Sequence, residues 1–213
     1  MKLYGYFRSS AAYRVRIALN LKGLAYEAVP VHLLRGGGEQ HAAAYRALNP
    51  QELVPALENG GHVLTQSLAI IEYLDETHPE PPLLPADPAG RARVRALALQ
   101  IACEIHPLNN LRVLQVLKRD FGLDEAATRR WYRHWITTGF GALEASLSTS
   151  PSGRFCHGDA PGLADICLVP QLFNARRFDC DLAPYPRICA IDAACAALAP
   201  FAAAHPARQP DAE

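Results

Sequence analysis

The sequence predicts an α/β unit followed by an all-α unit, and three observations carry that prediction. Residues 1–80 switch between short apolar runs and helical periodicity in the order βαβαββα. Five prolines crowd into residues 78–88, which can be neither helix nor central strand. Beyond them the apolar residues recur with helical period and nowhere alternate as in a strand. The boundaries that follow are 1–80 for the first unit, 81–88 for a proline-rich linker and 89–213 for the second unit.

Residues 2–7 read as the first strand. Residues 14–22 carry Val15, Ala18, Leu19 and Leu21 against Arg14, Arg16, Asn20 and Lys22, a helical spacing that Gly23 terminates. A second strand spans 26–33. Gly36, Gly37 and Gly38 form a loop, and 39–48 reads as an Ala-rich helix ended by Asn49-Pro50. Two short strands, 56–58 and 62–64, flank Asn59-Gly60-Gly61, a strong hairpin signal. Residues 67–77 place Ile70, Ile71 and Leu74 on one face and Glu72, Asp75 and Glu76 on the other. In the second unit, 90–119 reads as one long helix with Pro107 inside it. Helices over 124–147, 163–178 and 185–198 follow, then a short C-terminal piece. The Pro- and Ala-rich tail from His205 is expected to fray.

Composition narrows the function. The 213 residues hold 21 basic and 21 acidic side chains, which argues against a broad nucleic-acid or membrane-surface face. No signal-peptide core and no bilayer-length apolar run is present, so a cytoplasmic protein is expected. The six cysteines lack C-x-x-C spacing and all lie past residue 100, which suits small core residues in a reducing compartment. The histidines show no ligand spacing, and no metal is expected.

The chemistry gathers at helix starts. Ser9 and Ser10 stand between the first strand and the first helix, where unpaired N–H groups and a partial positive charge stabilise anions. Alone they read as N-caps. Leu53-Val54-Pro55 precedes the hairpin, where a proline is often a fixed turn and sometimes cis. Gln66-Ser67 opens the third helix, and Ser67 alone reads as an ordinary cap. Pro107 can simply kink its helix or can present His106, Asn110 and Arg112. His106 and Asn110, four apart, would share a face. Arg176-Arg177 suits a helix C-terminus.

Taken together, these segments resemble the glutathione transferases over nearly the whole chain, and their zeta class most closely. That class carries Ser-Ser-Cys-x-x-Arg-Val-Arg-Ile-Ala-Leu at its first helix, and residues 9–19 here read SSAAYRVRIAL. The stretches LNPQELVP (48–55), QSLAIIEYL (66–74) and IHPLNNLR (105–112) are similar to the class in the same order. The resemblance implies a thioredoxin-like domain followed by a helical bundle, with glutathione as cofactor. It implies that Ser9 favours the thiolate with help from Ser10, and that Val54 pairs its backbone with the tripeptide beside cis-Pro55. Gln66 and Ser67 would hold the γ-glutamyl carboxylate, with His106 and Asn110 completing the glutathione site. Arg8, Arg112 and Arg177 would bind a dicarboxylate substrate across an interdomain cleft.

The reaction implied is cis–trans isomerisation of a maleyl keto-diacid, maleylacetoacetate or maleylpyruvate, to its fumaryl isomer. Conjugation or dehalogenation of small α-halo acids is the first alternative, and a non-enzymatic interaction module the second. A homodimer is expected, the first unit of one chain facing the bundle of the other. Two departures stand out. Ala11 occupies the family cysteine position, so catalysis should need no protein thiol. Gly162-Leu163-Ala164-Asp165 replaces a Ser/Thr-x-x-Asp capping box, and Asp165 can still reach the Gly162 N–H.

Overall fold

The computed structural model describes residues 1–148 and 153–213. They form two units, one of Met1–Pro82 with Ala197–Glu213 and one of Leu83–Ala196.

The first unit is built on a four-stranded sheet of order β2-β1-β3-β4. Its elements run β1 (Lys2–Gly5), α1 (Ser10–Leu21), β2 (Glu27–Pro30), α2 (Ala43–Leu48), β3 (Ala56–Asn59), β4 (His62–Thr65) and α3 (Ser67–Thr77). That is the expected βαβαββα order. β1 pairs parallel with β2 and antiparallel with β3, and β3 pairs antiparallel with β4. The expected helix over 39–48 is shorter: a single 3₁₀ turn at Glu39–His41 precedes α2. The expected first helix gains a turn at its start, with Ser9 as its N-cap. Gly23 ends it at φ 65°, and the Leu24 N–H reaches back to the Leu19 carbonyl at 2.9 Å.

Two long-range tethers shape this unit. The buried Lys22 ammonium donates to Asp75 Oδ1 (2.6 Å) and to the His78 and Pro81 carbonyls (2.7 and 2.6 Å). Three acceptors match its three N–H donors, and they fasten the start of the proline-rich segment to the sheet unit. The C-terminal residues do not fray. α9 (Ala199–Ala204) packs on α1, Asp211 accepts from the Phe7 N–H (2.9 Å), and Glu213 contacts His32 and Arg35 (3.1 and 3.2 Å). Composition suggested a loose tail, and side-chain acceptors of distant donors tie it down.

The second unit is helical, and among the described residues no strand follows β4. It contains α4 (Pro88–Leu99), α5 (Leu111–Phe121), α6 (Glu125–Ser148), α7 (Leu163–Arg177) and α8 (Pro186–Ala196). The single helix expected over 90–119 is broken. α4 widens into a π-helical turn at Gln100–Ile105, a 3₁₀ turn follows at Pro107–Asn109, and Asn110 opens α5 in extended conformation. Pro107 cannot donate to the preceding turn, and the wide turn carries the His106 N–H to the Ile101 carbonyl (2.9 Å). Gly139 on α6 admits Ile105 here, since a Cβ would meet its side chain at 2.3 Å. Cys156, Cys167 and Cys195 are core residues as expected, whereas Cys103 is exposed on the π-helical turn, whose outer face needs no packing.

The capping of α7 survives without its hydroxyl. Asp165, 1% exposed, accepts from the Gly162 N–H (2.9 Å) and the Cys156 N–H (2.8 Å). Asp165→Ala strands two buried donors and is expected to cost about 2–4 kcal/mol. Asp165→Asn is expected to be destabilising as well, because one of its two groups is an NH₂ facing an N–H donor. Urea denaturation midpoints read both, and an alanine variant within experimental error of the wild type would refute the assignment.

Candidate functional site

Sheet register brings three of the singled-out segments to one end of the first unit. Tyr4 of β1 pairs with Ala56 of β3, and Ala56 pairs with Thr65 of β4. The chain leaving β1 toward Ser9, the chain entering β3 from Val54-Pro55, and the chain leaving β4 into Gln66-Ser67 therefore meet at the same end of the sheet. Tyr6, Phe7, Val31, Tyr45 and Val54 form one apolar cluster, which joins the chain leaving β1 to the chain entering β3.

Ser9 is the N-cap of α1. Its Oγ accepts from the Ala12 N–H at 3.2 Å, which leaves the hydroxyl hydrogen to donate outward. Ser10 is the first helical residue and is buried. A hydroxyl donor on a helix N-terminus is a site for an anion such as a thiolate. Ala11 brings no thiol, and the cysteines lie between Cys103 and Cys195, all in the second unit.

The loop bearing Ser9 is held from behind. The buried Arg16 guanidinium donates to the Phe7 carbonyl (2.9 Å), the Tyr6 carbonyl (3.5 Å) and the Ala204 carbonyl (3.1 Å). Burial lowers its pKa to about 10, so it stays protonated at neutral pH. Arg8 donates from Nη2 and Nε to the Tyr6 hydroxyl (2.7 and 3.2 Å) and lies 4.9 Å from the Phe7 ring centroid. Arg8 is partly exposed, and these two contacts orient its guanidinium.

The Val54–Pro55 bond is cis, as the resemblance implied. The adjoining Leu53 carbonyl accepts from the Tyr45 hydroxyl and from Asn49 Nδ2, both at 2.7 Å. Burial pushes the Tyr45 phenol up to about 12, which keeps it a donor. Asn49 was legible only as a helix stop, and its bracing of this loop carries no local sequence signal. At the third segment the cap is Gln66 rather than Ser67. Gln66 has φ 68° and ψ 114° and makes no side-chain cap bond, while its Nε2 donates to Gln51 Oε1 (2.8 Å). A non-glycine residue held there costs on the order of 1–3 kcal/mol, and such conformations cluster at ligand sites. Ser67 is the first residue of α3, buried, and its Oγ accepts from Arg14 Nη1 (3.3 Å).

The second unit carries the remaining singled-out residues. His106 and Asn110 do not share a helix face, because the 3₁₀ turn and the extended Asn110 separate them. Asn110 caps α5 by accepting from the Arg112 N–H (3.1 Å). Arg112 is exposed in the first turn of α5, where the helix dipole disfavours a cation. The adjacent arginines of α7 divide their roles. Arg176 donates to Asp192 (2.6 Å), whose carboxyl is held above its ordinary pKa by burial, against the pull of Arg176. Arg177 is exposed and lies 4.9 Å from the Phe178 ring centroid. Phe178 in turn stacks on Tyr132 with centroids 3.6 Å apart. Among the described residues no group of three or more His, Cys, Asp or Glu side chains is placed to hold a metal ion.

Residues 3–82 match the family model of the glutathione S-transferase N-terminal domain. The chain is 56% identical over 213 residues to a maleylpyruvate isomerase of Ralstonia sp, covering 99% of each. A solved holo structure of a maleylpyruvate isomerase, a bacterial glutathione transferase of the zeta class, superposes with a TM-score of 0.97 at 56% identity over 100% of both chains. A maleylacetoacetate isomerase from Methylobacterium extorquens AM1, solved with malonate and glutathione bound, superposes at 0.96 with 46% identity over 100% of both.

Proposed function

The chain belongs to the glutathione S-transferase family, in its zeta class, and on that footing we propose that it is a glutathione-dependent cis–trans isomerase of a maleyl keto-diacid. The observation that carries the reading is the convergence of Ser9, Val54-Pro55 and Gln66-Ser67 at one sheet end. Its donor set fits glutathione: a hydroxyl on one helix N-terminus for a thiolate, and a second helix N-terminus with a hydroxyl for a carboxylate.

When bound, glutathione supplies a thiolate that adds to the conjugated cis double bond, allows rotation and leaves again. The protein's part is electrostatic and positional. A free thiol, with pKa near about 8.5, is mostly protonated at neutral pH. The Ser9 hydroxyl and the α1 N-terminus lower the cost of the anion without a general base. Ser10 extends the same helix end. Val54 offers backbone pairing to the tripeptide, and Gln66 and Ser67 anchor its γ-glutamyl carboxylate. His106 and Asn110 are further glutathione contacts on this reading. Arg8, Arg112 and Arg177 bind substrate carboxylates and offset negative charge that develops as the double bond is lost.

Substrate turnover with thiol counting tests this. The purified protein with substoichiometric glutathione should convert many equivalents of maleylpyruvate or maleylacetoacetate with no loss of titratable thiol. Stoichiometric thiol loss with halide release from an α-halo acid would establish a conjugating transferase instead. Glutathione binding with no turnover of any of these would leave an interaction module. A homodimer in the cytoplasm completes the proposal. No described helix is long and apolar enough to cross a membrane, and light scattering should return about twice the 23.2 kDa chain mass.

A further inference from the structure

We infer that Arg14 is a positioning residue for glutathione, fixing the Ser67 hydroxyl as a donor to the γ-glutamyl carboxylate. This rests on the glutathione site proposed above and adds a residue to it. Arg14 lies on α1, five residues past the Ser9 cap, and is only 2% exposed. α1 packs against α3, and Arg14 Nη1 stands 3.3 Å from Ser67 Oγ at the first residue of that helix. A guanidinium has N–H groups and no acceptor, so the Ser67 oxygen must accept. The serine hydrogen is then committed to donating elsewhere. A carboxylate only accepts, which makes a serine held in this polarity its complement.

The charge acts in the same direction. A buried cation behind a hydroxyl polarises the O–H bond toward a ligand, and burial limits screening by salt. It also adds to the partial positive charge that the α3 N-terminus presents. A single helix thus serves both ends of the ligand: its cap donates toward the sulfur, and Arg14 sets the donor at the carboxylate.

The test is calorimetric binding of two ligands, glutathione and γ-aminobutyryl-cysteinyl-glycine, which lacks the α-carboxylate of the glutamyl residue. Arg14→Met and Ser67→Ala should each weaken glutathione about ten-fold or more, the loss of a charge-assisted bond. The double variant should be no weaker than the poorer single variant by more than about two-fold, because both changes remove one coupled unit. The truncated tripeptide should bind all three as it binds the wild type.

Arg14→Lys is one atom shorter on a bond already at 3.3 Å, and it should lose affinity in the same carboxylate-selective way. If Arg14→Met does not fold, the lysine variant decides. Unchanged glutathione affinity, equal losses for both ligands, or additive losses in the double variant would each overturn the inference. Failure of the wild type to bind glutathione would instead sink the function proposed above.

Discussion

Ser9→Ala is expected to lower turnover of the maleyl substrate by about 10²–10³, the usual cost of removing one donor to a developing or bound anion. The geometry gives the reason. The Ser9 oxygen is already occupied by the Ala12 N–H, so its hydrogen is the group available to a sulfur anion. Glutathione affinity should change only a few-fold, because Val54, Gln66 and Ser67 are its proposed anchors. The pH–rate profile is the sharper readout. Without the donor, the bound thiol should titrate nearer to its free value of about 8.5, so activity at neutral pH falls while activity at alkaline pH partly recovers. Loss of the cap also costs roughly 0.5–2 kcal/mol of stability, so the assay belongs well below the melting temperature. A profile that drops uniformly with pH would show that Ser9 does not act on thiol ionisation.

Arg8→Ala and Arg177→Ala are each expected to raise the KM for the diacid on the order of ten- to a hundred-fold, from about 1.5–3 kcal/mol per charge-assisted hydrogen bond. Glutathione affinity should move much less, and turnover of an uncharged electrophile, where measurable, should persist. Arg112→Ala should follow the same pattern. Arg176→Ala supplies the contrast. Its guanidinium is committed to Asp192, so its loss should lower the melting temperature and leave the diacid KM near that of the wild type. If Arg176→Ala raises KM and Arg177→Ala does not, the two arginines are assigned the wrong way round. If Arg8→Ala weakens glutathione but handles the diacid normally, the dicarboxylate clamp is wrong.

Most of the fold was legible because its signals are local. Asn59-Gly60-Gly61 makes a hairpin wherever it sits between apolar runs, and α3 appears at Ser67–Thr77 as its apolar stripe requires. The misreadings arose where local pattern and tertiary context compete. Apolar periodicity continues through residues 90–119, yet Pro107 and the packing of Ile105 against Gly139 split that stretch into α4, two irregular turns and α5. Ala and Pro predict a frayed tail, yet Asp211 accepts the Phe7 N–H from 204 residues away.

The sequence by itself determined the βαβαββα order, the all-helical second unit and the hydroxyls at two helix starts, while the cis bond at Pro55 was implied by the resemblance. Periodicity, turn chemistry and capping act over a few residues, and the resemblance added their expected roles. Only the tertiary structure decided how these parts meet. Register sets Tyr4, Ala56 and Thr65 side by side and so gathers three loops at one end of the sheet. Packing of α1 on α3 sets Arg14 against Ser67, 53 residues away, and the approach of α7 to α8 commits Arg176 rather than Arg177 to Asp192. Adjacent arginines look alike in a sequence because nothing within a helical turn distinguishes them. What separates them is which one finds a buried carboxylate, and burial is a property of the whole fold.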